Sequence, residues 1–326
     1  MELQLHVAPH EPEKASPKTE QLYDLLIIGG GPAGLTAAIY AGRARLKTLL
    51  LAGSFPGGQP VNTDLVENYL GFPDGVSGAE LAQRFQRQAE RFGAEVVPDE
   101  ATEVDFSARP FTVRTPKAAY KAKTVLVATG AVPRRLGVPG ENKFFGRGVS
   151  ACATCDGFFY QGKKVVVVGG GDSAVDEAIF LTRFAREVTI IHRRDELRAA
   201  KIYQERAFAN PKISVLWNSV VDEILGEQTV SGVRVHNVKT GESSIVETDG
   251  VFIYVGMVPE TEMFVDQLEL DEQGYVVSDR RQRTNVPGVF VAGDVQDPKY
   301  RQIVIAAGAG AIAALEAGHF LSEHSL

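Results

Sequence analysis

The segment CATCDGFF, residues 152–159, holds the two cysteines of a 326-residue chain, spaced CxxC and followed at once by Asp156. Such a pair has three chemical uses: half of a zinc site, a structural disulfide, or a dithiol that carries electrons. Zinc takes four ligands, commonly two cysteine pairs or one pair with two spaced histidines. Here there is one pair, and the six histidines supply no second: His6 and His10 lie in a polar N-terminal lead-in and the others are scattered. A disulfide closing so short a loop removes little entropy from the unfolded chain, because that stabilisation grows with loop length. Redox exchange remains, and CxxC spacing lowers a thiol pKa toward neutrality so that thiolate is available. Asp156 is placed either to pass a proton to or from a thiolate or to shape the turn before Gly157.

A redox pair needs something to hold and supply it, and a repeated pattern in the chain provides this. Residues 23–34 read YDLLIIGGGPAG and residues 163–174 read KKVVVVGGGDSA. Each is a nearly continuous apolar run, as expected of a parallel strand buried on both faces, and each passes through glycines into a helix-compatible stretch. A second correspondence pairs TVLVATGAVP at 124–133 with GVFIYVGMVP at 250–259. The C-terminal stretch from GVFVAGDV has no partner strand nearby, so it is assigned back to the first unit. The expected fold is α/β, with two Rossmann-like, three-layer dinucleotide-binding domains, the second inserted into a discontinuous first. The expected boundaries are a disordered lead-in over 1–20, a first domain over 21–132 and 262–326, and an inserted domain over 133–261 that carries the CxxC. The Gly- and Pro-rich segments 131–140 and 256–262 would be the crossings between them.

The two glycine motifs differ in the residues on their C-terminal side. In the first, Gly29, Gly31 and Gly34 fit GxGxxG, which permits a tight turn, a close pyrophosphate, and close packing of helix on strand. The acid expected about 20 residues on for a ribose hydroxyl is missing: KTLLLAG ends in Ala52 and Gly53. That weakens NAD and leaves room for FAD held by other contacts, such as GGQ at 57–59. In the second, Gly169, Gly171 and Ala174 fit GxGxxA, and the next strand runs into His192, Arg193 and Arg194, with Arg198 beyond. Guanidinium groups suit a 2′-phosphate, which points to NADPH.

Composition narrows the class further. At 44% hydrophobic and 23% charged, the chain is a globular mixture, and its net charge of −7 gives no reason to expect nucleic acid or an anionic membrane. Low cysteine content and no basic-then-apolar leader favour the cytoplasm. The apolar run from Ile303 reads as a buried helix rich in small residues, too short to span a bilayer.

The order and spacing of GGGPAG, CATCDG, GGGDSA, HRRDELRA and VFVAGDV resemble the bacterial-type, low-molecular-weight thioredoxin reductases, class II pyridine nucleotide-disulfide oxidoreductases, over nearly the whole chain from about residue 22. Glutathione-reductase-like enzymes are excluded, since no cysteine lies between Gly34 and Cys152. The resemblance implies a homodimeric flavoprotein with FAD in the discontinuous domain and NADPH in the inserted one. It places Gly29, Gly31, Pro32, Ala33 and Gly34 along the FAD pyrophosphate, and Gly58, Gln59 and Asn68 at the flavin part. Ala128, Thr129 and Gly130 would line the flavin, Gly293 and Asp294 the ribityl chain. Arg301 and Gln302 would meet the flavin, with Ile303 standing where the family shows alanine. For NADPH it implies Gly169, Gly171, Asp172, Ser173 and Ala174 at the turn, and His192, Arg193, Arg194 and Arg198 at the 2′-phosphate. Cys155 would face the flavin, Cys152 would attack the disulfide of thioredoxin, and Asp156 would handle protons. One static arrangement cannot serve nicotinamide, disulfide and acceptor in turn, so two interdomain orientations are expected. The nearest alternative keeps this chemistry with another disulfide protein or a peroxidase system as acceptor.

Overall fold

The computed structural model describes residues 21–53, 56–63 and 65–324, so the lead-in expected to be disordered lies outside it. The first sheet takes β1 (Leu22–Ile28), β2 (Thr48–Leu51), β3 (Glu95–Val97), β4 (Glu103–Asp105), β5 (Phe111–Arg114) and β6 (Ala119–Val127). Its order is β3-β2-β1-β6-β5-β4, with β1, β2, β3 and β6 parallel. Leu26 and Ile28 of β1 enter one apolar cluster, and Leu25 and Ile27 enter another on the opposite face. Successive strand side chains point to opposite faces, which is why the LLII at its end has no polar residue once both faces are covered.

After β6 the chain crosses through β7 (Ala131–Pro133) into a second parallel sheet. This contains β8 (Val149–Ser150), β9 (Lys164–Gly169), β10 (Glu187–Ile191) and β11 (Ile213–Leu216), which leads into a three-stranded antiparallel sheet of β12 (Ser219–Gly226), β13 (Val230–Asn237) and β14 (Ser243–Glu247). With β15 (Gly250–Tyr254), the parallel sheet runs β11-β10-β9-β15-β8. Val165 and Val167 of β9 enter one cluster and Val166 and Val168 the opposite one, the same two-sided burial as β1. The chain returns through β16 (Met257–Pro259), which pairs antiparallel with β7, and β17 (Val289–Val291) then joins β6 in the first sheet.

The two crossings thus form one short ribbon, bounded by Gly130 at φ +76° and Gly256 at φ +125°, backbone that favours glycine. Thr129 Oγ1 donates to Glu260 O at 2.7 Å and Arg134 N to Gly256 O at 2.9 Å, tying the strands together. Buried Glu141 accepts from the Leu136 and Gly137 N–H groups at 3.1 and 2.7 Å, which fixes the loop leading out.

Helices α1 (Pro32–Arg43) and α2 (Gly78–Arg91) belong with the first sheet, and α5 (Asp172–Leu181) and α6 (Lys201–Phe208) with the second. Between them lie two single turns, α3 (Glu141–Phe144) and α4 (Ala153–Asp156). The final helix α7 (Ile303–His324) has 22 residues, longer than the apolar run alone implies and long enough by length and composition to cross a membrane. Its small face nevertheless packs on α1: a Cβ at Gly310 would meet Ala33 O at 2.0 Å. That approach requires glycine, and it explains the run of small residues.

Candidate active site

Both glycine turns are built for close backbone packing, and both leave a space in front. At Gly29 (φ +116°) a Cβ would stand 2.1 Å from Ala128 O, and at Gly34 one would stand 2.0 Å from Gly29 O. Gly31 differs: a Cβ there would meet nothing closer than Gly58 Cα at 3.9 Å. It caps α1 without a side-chain bond, with Pro32 in the first turn, so the leading N–H groups face that space. The GGQ segment closes one side, since Gly57 N donates to Gly30 O at 2.9 Å.

The second turn repeats the design. At Gly169 a Cβ would meet Tyr254 O at 2.4 Å and Ala174 Cβ at 2.8 Å, which is why a small residue stands at 174. Gly171 caps α5 with no side-chain bond, and the nearest atom to its Cβ position is Arg198 Nη2 at 4.0 Å. Arg193, Arg194 and Arg198 are exposed, as is Ser173 in the first helical turn. Asp172 Oδ1 accepts the Ala200 N–H at 2.7 Å, so this carboxylate braces the arginine loop against the helix. His192 lies beneath that loop at 4% exposure, its ring packed where a Cβ on Gly170 would stand and its Nε2 3.0 Å from Glu196 O. Burial holds its pKa below the usual histidine value, aided by Arg198 and Arg194. His192 therefore supports the loop as a neutral ring, and the exposed charge at this site is carried by the arginines.

Each cradle could hold the ligand expected of it. An uncapped helix start with no side chain in front of it suits a pyrophosphate. The partly buried Asp294 has no hydrogen-bond partner among the described residues, and burial, then Asp297, pushes its carboxyl up to about 6. A group in that condition suits hydroxyl donors such as those of a ribityl chain. Gly293 (φ +86°) keeps the turn before it tight, with Ala33 Cβ 3.0 Å from its Cβ position. We expect Gly31→Ala and Gly171→Ala each to leave the ligand-free thermal midpoint within about 2 °C. Each should weaken its own ligand, FAD or NADPH respectively, by about tenfold or more. Undiminished binding measured by calorimetry would show that the space is not a phosphate cradle.

The remaining residues expected beside the flavin take these places. Gln59 Nε2 donates to Ala131 O at 3.1 Å, and Asn68 Nδ2 donates to Gln302 Oε1 at 3.0 Å. Ala128 is buried, its N–H bonded to Ile28 O at 2.8 Å. Arg301 (φ +49°) bonds Pro298 O and stays exposed. Ile303 opens α7 and packs against the small cluster of Val66, Val76 and Leu81, so it anchors the loop that carries Arg301 and Gln302.

Cys152 and Cys155 form a disulfide across the single turn α4. Cys152 Sγ accepts the Cys155 N–H at 3.2 Å, Ser150 Oγ accepts the Cys152 N–H at 3.0 Å, and the Ala153 N–H donates to the Tyr254 hydroxyl at 2.9 Å. Burial, then Glu177, drives the Tyr254 hydroxyl pKa upward, so it remains a neutral support for the turn. Cys155 Sγ lies 3.9 Å from Asn62 Oδ1, on the loop just beyond GGQ. In the disulfide this is a contact; a Cys155 thiol at the same place would have an acceptor within reach. The Asp156 N–H bonds Cys152 O at 3.2 Å, but its half-buried carboxylate makes no capping bond. Its charge helps, after burial, to raise the nearby Tyr160 hydroxyl to about 12.

Two features of this site carry no clear mark in the sequence. Asn62 stands between GGQ and VEN, outside either motif. Phe158 and Phe159, exposed at 66% and 68%, stand directly after the redox turn, and their only signal is two adjacent aromatics outside any strand pattern.

Comparison with known proteins bears on the whole chain. The family described as pyridine nucleotide-disulphide oxidoreductase matches residues 23–310. A thioredoxin reductase of Streptomyces coelicolor is 52% identical over 305 residues, covering 93% of this chain and 95% of its own. A crystal structure of Lactococcus lactis thioredoxin reductase, described as the FR conformation, superposes with a TM-score of 0.90 at 45% identity, over 92% of this chain and 99% of that one. The thioredoxin reductase of Streptococcus pyogenes MGAS5005 scores 0.62 at 49% identity, over 93% and 99%.

Proposed function

This chain belongs to the pyridine nucleotide-disulphide oxidoreductase family, and on that footing we propose that it is an NADPH-dependent, FAD-containing thioredoxin-disulfide reductase. The observation that carries the reading is the Cys152–Cys155 disulfide facing, through Cys155, the loop that bears Gln59, Asn62 and Asn68. In this reading residues 21–132 and 262–326 hold FAD, and residues 133–261 hold NADPH on Gly171, Arg193, Arg194 and Arg198. Bound FAD supplies the two-electron relay between the hydride of NADPH and the disulfide.

The chain's own residues carry the exchange. In the dithiol state the Cys152 thiolate attacks one sulfur of the thioredoxin disulfide, forming a mixed disulfide and releasing one thioredoxin thiolate. The Cys155 thiolate then attacks Cys152 Sγ, which restores the Cys152–Cys155 disulfide and releases the second thiolate. Asp156 is the proton-handling group for the departing thiolates. Domain rotation about the β7–β16 ribbon separates the stage at which the pair meets the flavin side from the stage at which it meets thioredoxin.

Phe158 and Phe159 give the acceptor an apolar landing surface next to the reactive turn. Phe158→Ala with Phe159→Ala should raise KM for thioredoxin about tenfold or more and leave turnover of a small aromatic disulfide within about twofold. Absence of thioredoxin-dependent NADPH oxidation by the unmodified protein would sink the functional reading itself. We also propose a homodimer, supported by the apolar side chains Tyr40, Val304, Ile305, Ile312 and Leu315 exposed on α1 and α7. Light scattering should return twice the chain mass of 35.2 kDa, and a monomer mass would refute it.

A further inference from the structure

Where α1 turns into β2 and α2 turns into β3, Arg43, Arg45 and Arg91 line a cavity of 420 Å³ together with Gly42, Phe92 and Gly93. Close packing fixes its walls: a Cβ on Gly42 would stand 2.6 Å from Phe92 O, so the two helix ends are held against each other. The Arg43 and Arg91 guanidiniums lie 5.3 and 5.1 Å from the centre of the Phe92 ring, which gathers both. All three arginines are exposed, and none forms an ion pair among the described residues. The carboxylates nearest in sequence are engaged elsewhere: Glu90 accepts from Gln86, Glu95 from Tyr23, and Asp24 pairs with Lys123. The helix dipole accounts for Arg43 and Arg91, each in a last turn. It does not account for Arg45. That residue follows the cap Ala44 at φ +62°, the left-handed position at which helices usually place glycine or asparagine. An arginine kept there at a backbone cost, with no partner inside the chain, points to a partner outside it.

We propose that this cavity is a polyphosphate site, which takes the phosphate chain of a nucleotide-sized molecule between the three guanidiniums. Each helix end supplies about half a negative charge, so about two of the three positive charges stand unbalanced without a ligand. Planar guanidinium forks match phosphate oxygens bidentately. The volume exceeds what one phosphate needs and falls within the range of small-molecule sites, about 300–1,000 Å³. The chain as a whole carries −7, so the attraction belongs to this cluster and not to the surface at large. The site also stands apart from the Gly31 cradle: α1 has 12 residues, which places its two ends about 18 Å apart. A ligand held here leaves that cradle open.

Calorimetry with sodium tripolyphosphate on the full-length, FAD-loaded protein tests the site. The Arg193→Ala, Arg194→Ala background keeps the other exposed arginines from contributing. Three charge-assisted contacts predict half-saturation below about 1 mM in about 0.1 M salt. Arg45→Asn and Arg91→Gln should each weaken binding about fivefold or more. Lys201→Gln, at the start of α6, should change it by less than about twofold. ATP should show the same dependence on Arg45 and Arg91, and adenosine none, because the phosphates carry the recognition. Asparagine tolerates the left-handed backbone, so Arg45→Asn should keep or raise the ligand-free thermal midpoint. That separates an arginine that binds a ligand from one that holds the loop. Absent binding, indifference to either substitution, an equal loss with Lys201→Gln, a dependence that adenosine shares, or a lowered midpoint in Arg45→Asn would each overturn the proposal.

Discussion

Cys152→Ser is expected to lower thioredoxin-dependent NADPH oxidation by at least about a thousandfold, because in the proposed mechanism Cys152 is the sulfur that bonds to the acceptor. The same protein should still bind FAD and still be bleached by NADPH, since neither the Gly31 cradle nor the Gly171 turn involves α4. The fold should tolerate the change: Cys152 Sγ accepts one N–H at 3.2 Å, and a serine hydroxyl accepts the same bond. This separation between an intact first half-reaction and a lost second one distinguishes a redox pair from a structural disulfide. A structural role would instead show as reduced stability with turnover retained. Stopped-flow absorbance at the flavin band, followed by a thioredoxin-coupled steady-state assay, checks both halves on one preparation.

Replacing Arg193 and Arg194 together by alanine is the second large effect. Charge-assisted bonds to a phosphate contribute about 1.5–3 kcal/mol each when well formed. Both side chains are exposed, so we take about 3 kcal/mol for the pair, or a loss of about 100-fold in NADPH affinity. NADH, lacking the 2′-phosphate, should change by less than about threefold. Added salt should erode NADPH binding to the unmodified protein and spare the double variant, as screening predicts. Equal losses for both nucleotides would mean that the arginines shape the loop and do not read the phosphate. His192 gives the contrast. It sits in the same HRR run, yet it is buried under the loop at 4% exposure, so its replacement should act on stability before it acts on phosphate preference.

That contrast shows where sequence is a good guide and where it is not. The glycine turns were legible because backbone sterics leave little choice: at Gly29, Gly34 and Gly169 a Cβ would fall within 2.4 Å of a carbonyl oxygen. The strands were legible because burial on two faces removes every polar position from Leu25–Ile28 and Val165–Val168. The run HRRDELR, by contrast, offers one charged stretch to the reader, while folding sends His192 inward and the arginines outward. Nothing in a local pattern distinguishes them. The full length of α7 was hidden for a related reason: its second half turns polar at Glu316 and His319 because that part lies near Arg283 and solvent, not because the helix ends. Asn62 beside Cys155, and Glu67 beside Arg206, lie far apart in sequence and carry no periodicity. Such pairs are products of the tertiary arrangement and become visible only there.

The central claim is that electrons enter at Gly171 and the arginines and leave through Cys152. The most direct measurement is an anaerobic spectral cycle of the unmodified protein. The account predicts a yellow protein whose flavin band bleaches fully only with two equivalents of NADPH, one for the disulfide and one for the flavin, and returns on addition of excess oxidised thioredoxin, with two thioredoxin thiols formed for each NADPH consumed. A band that bleaches but does not return with thioredoxin, or returns equally fast in Cys152→Ser, would contradict it.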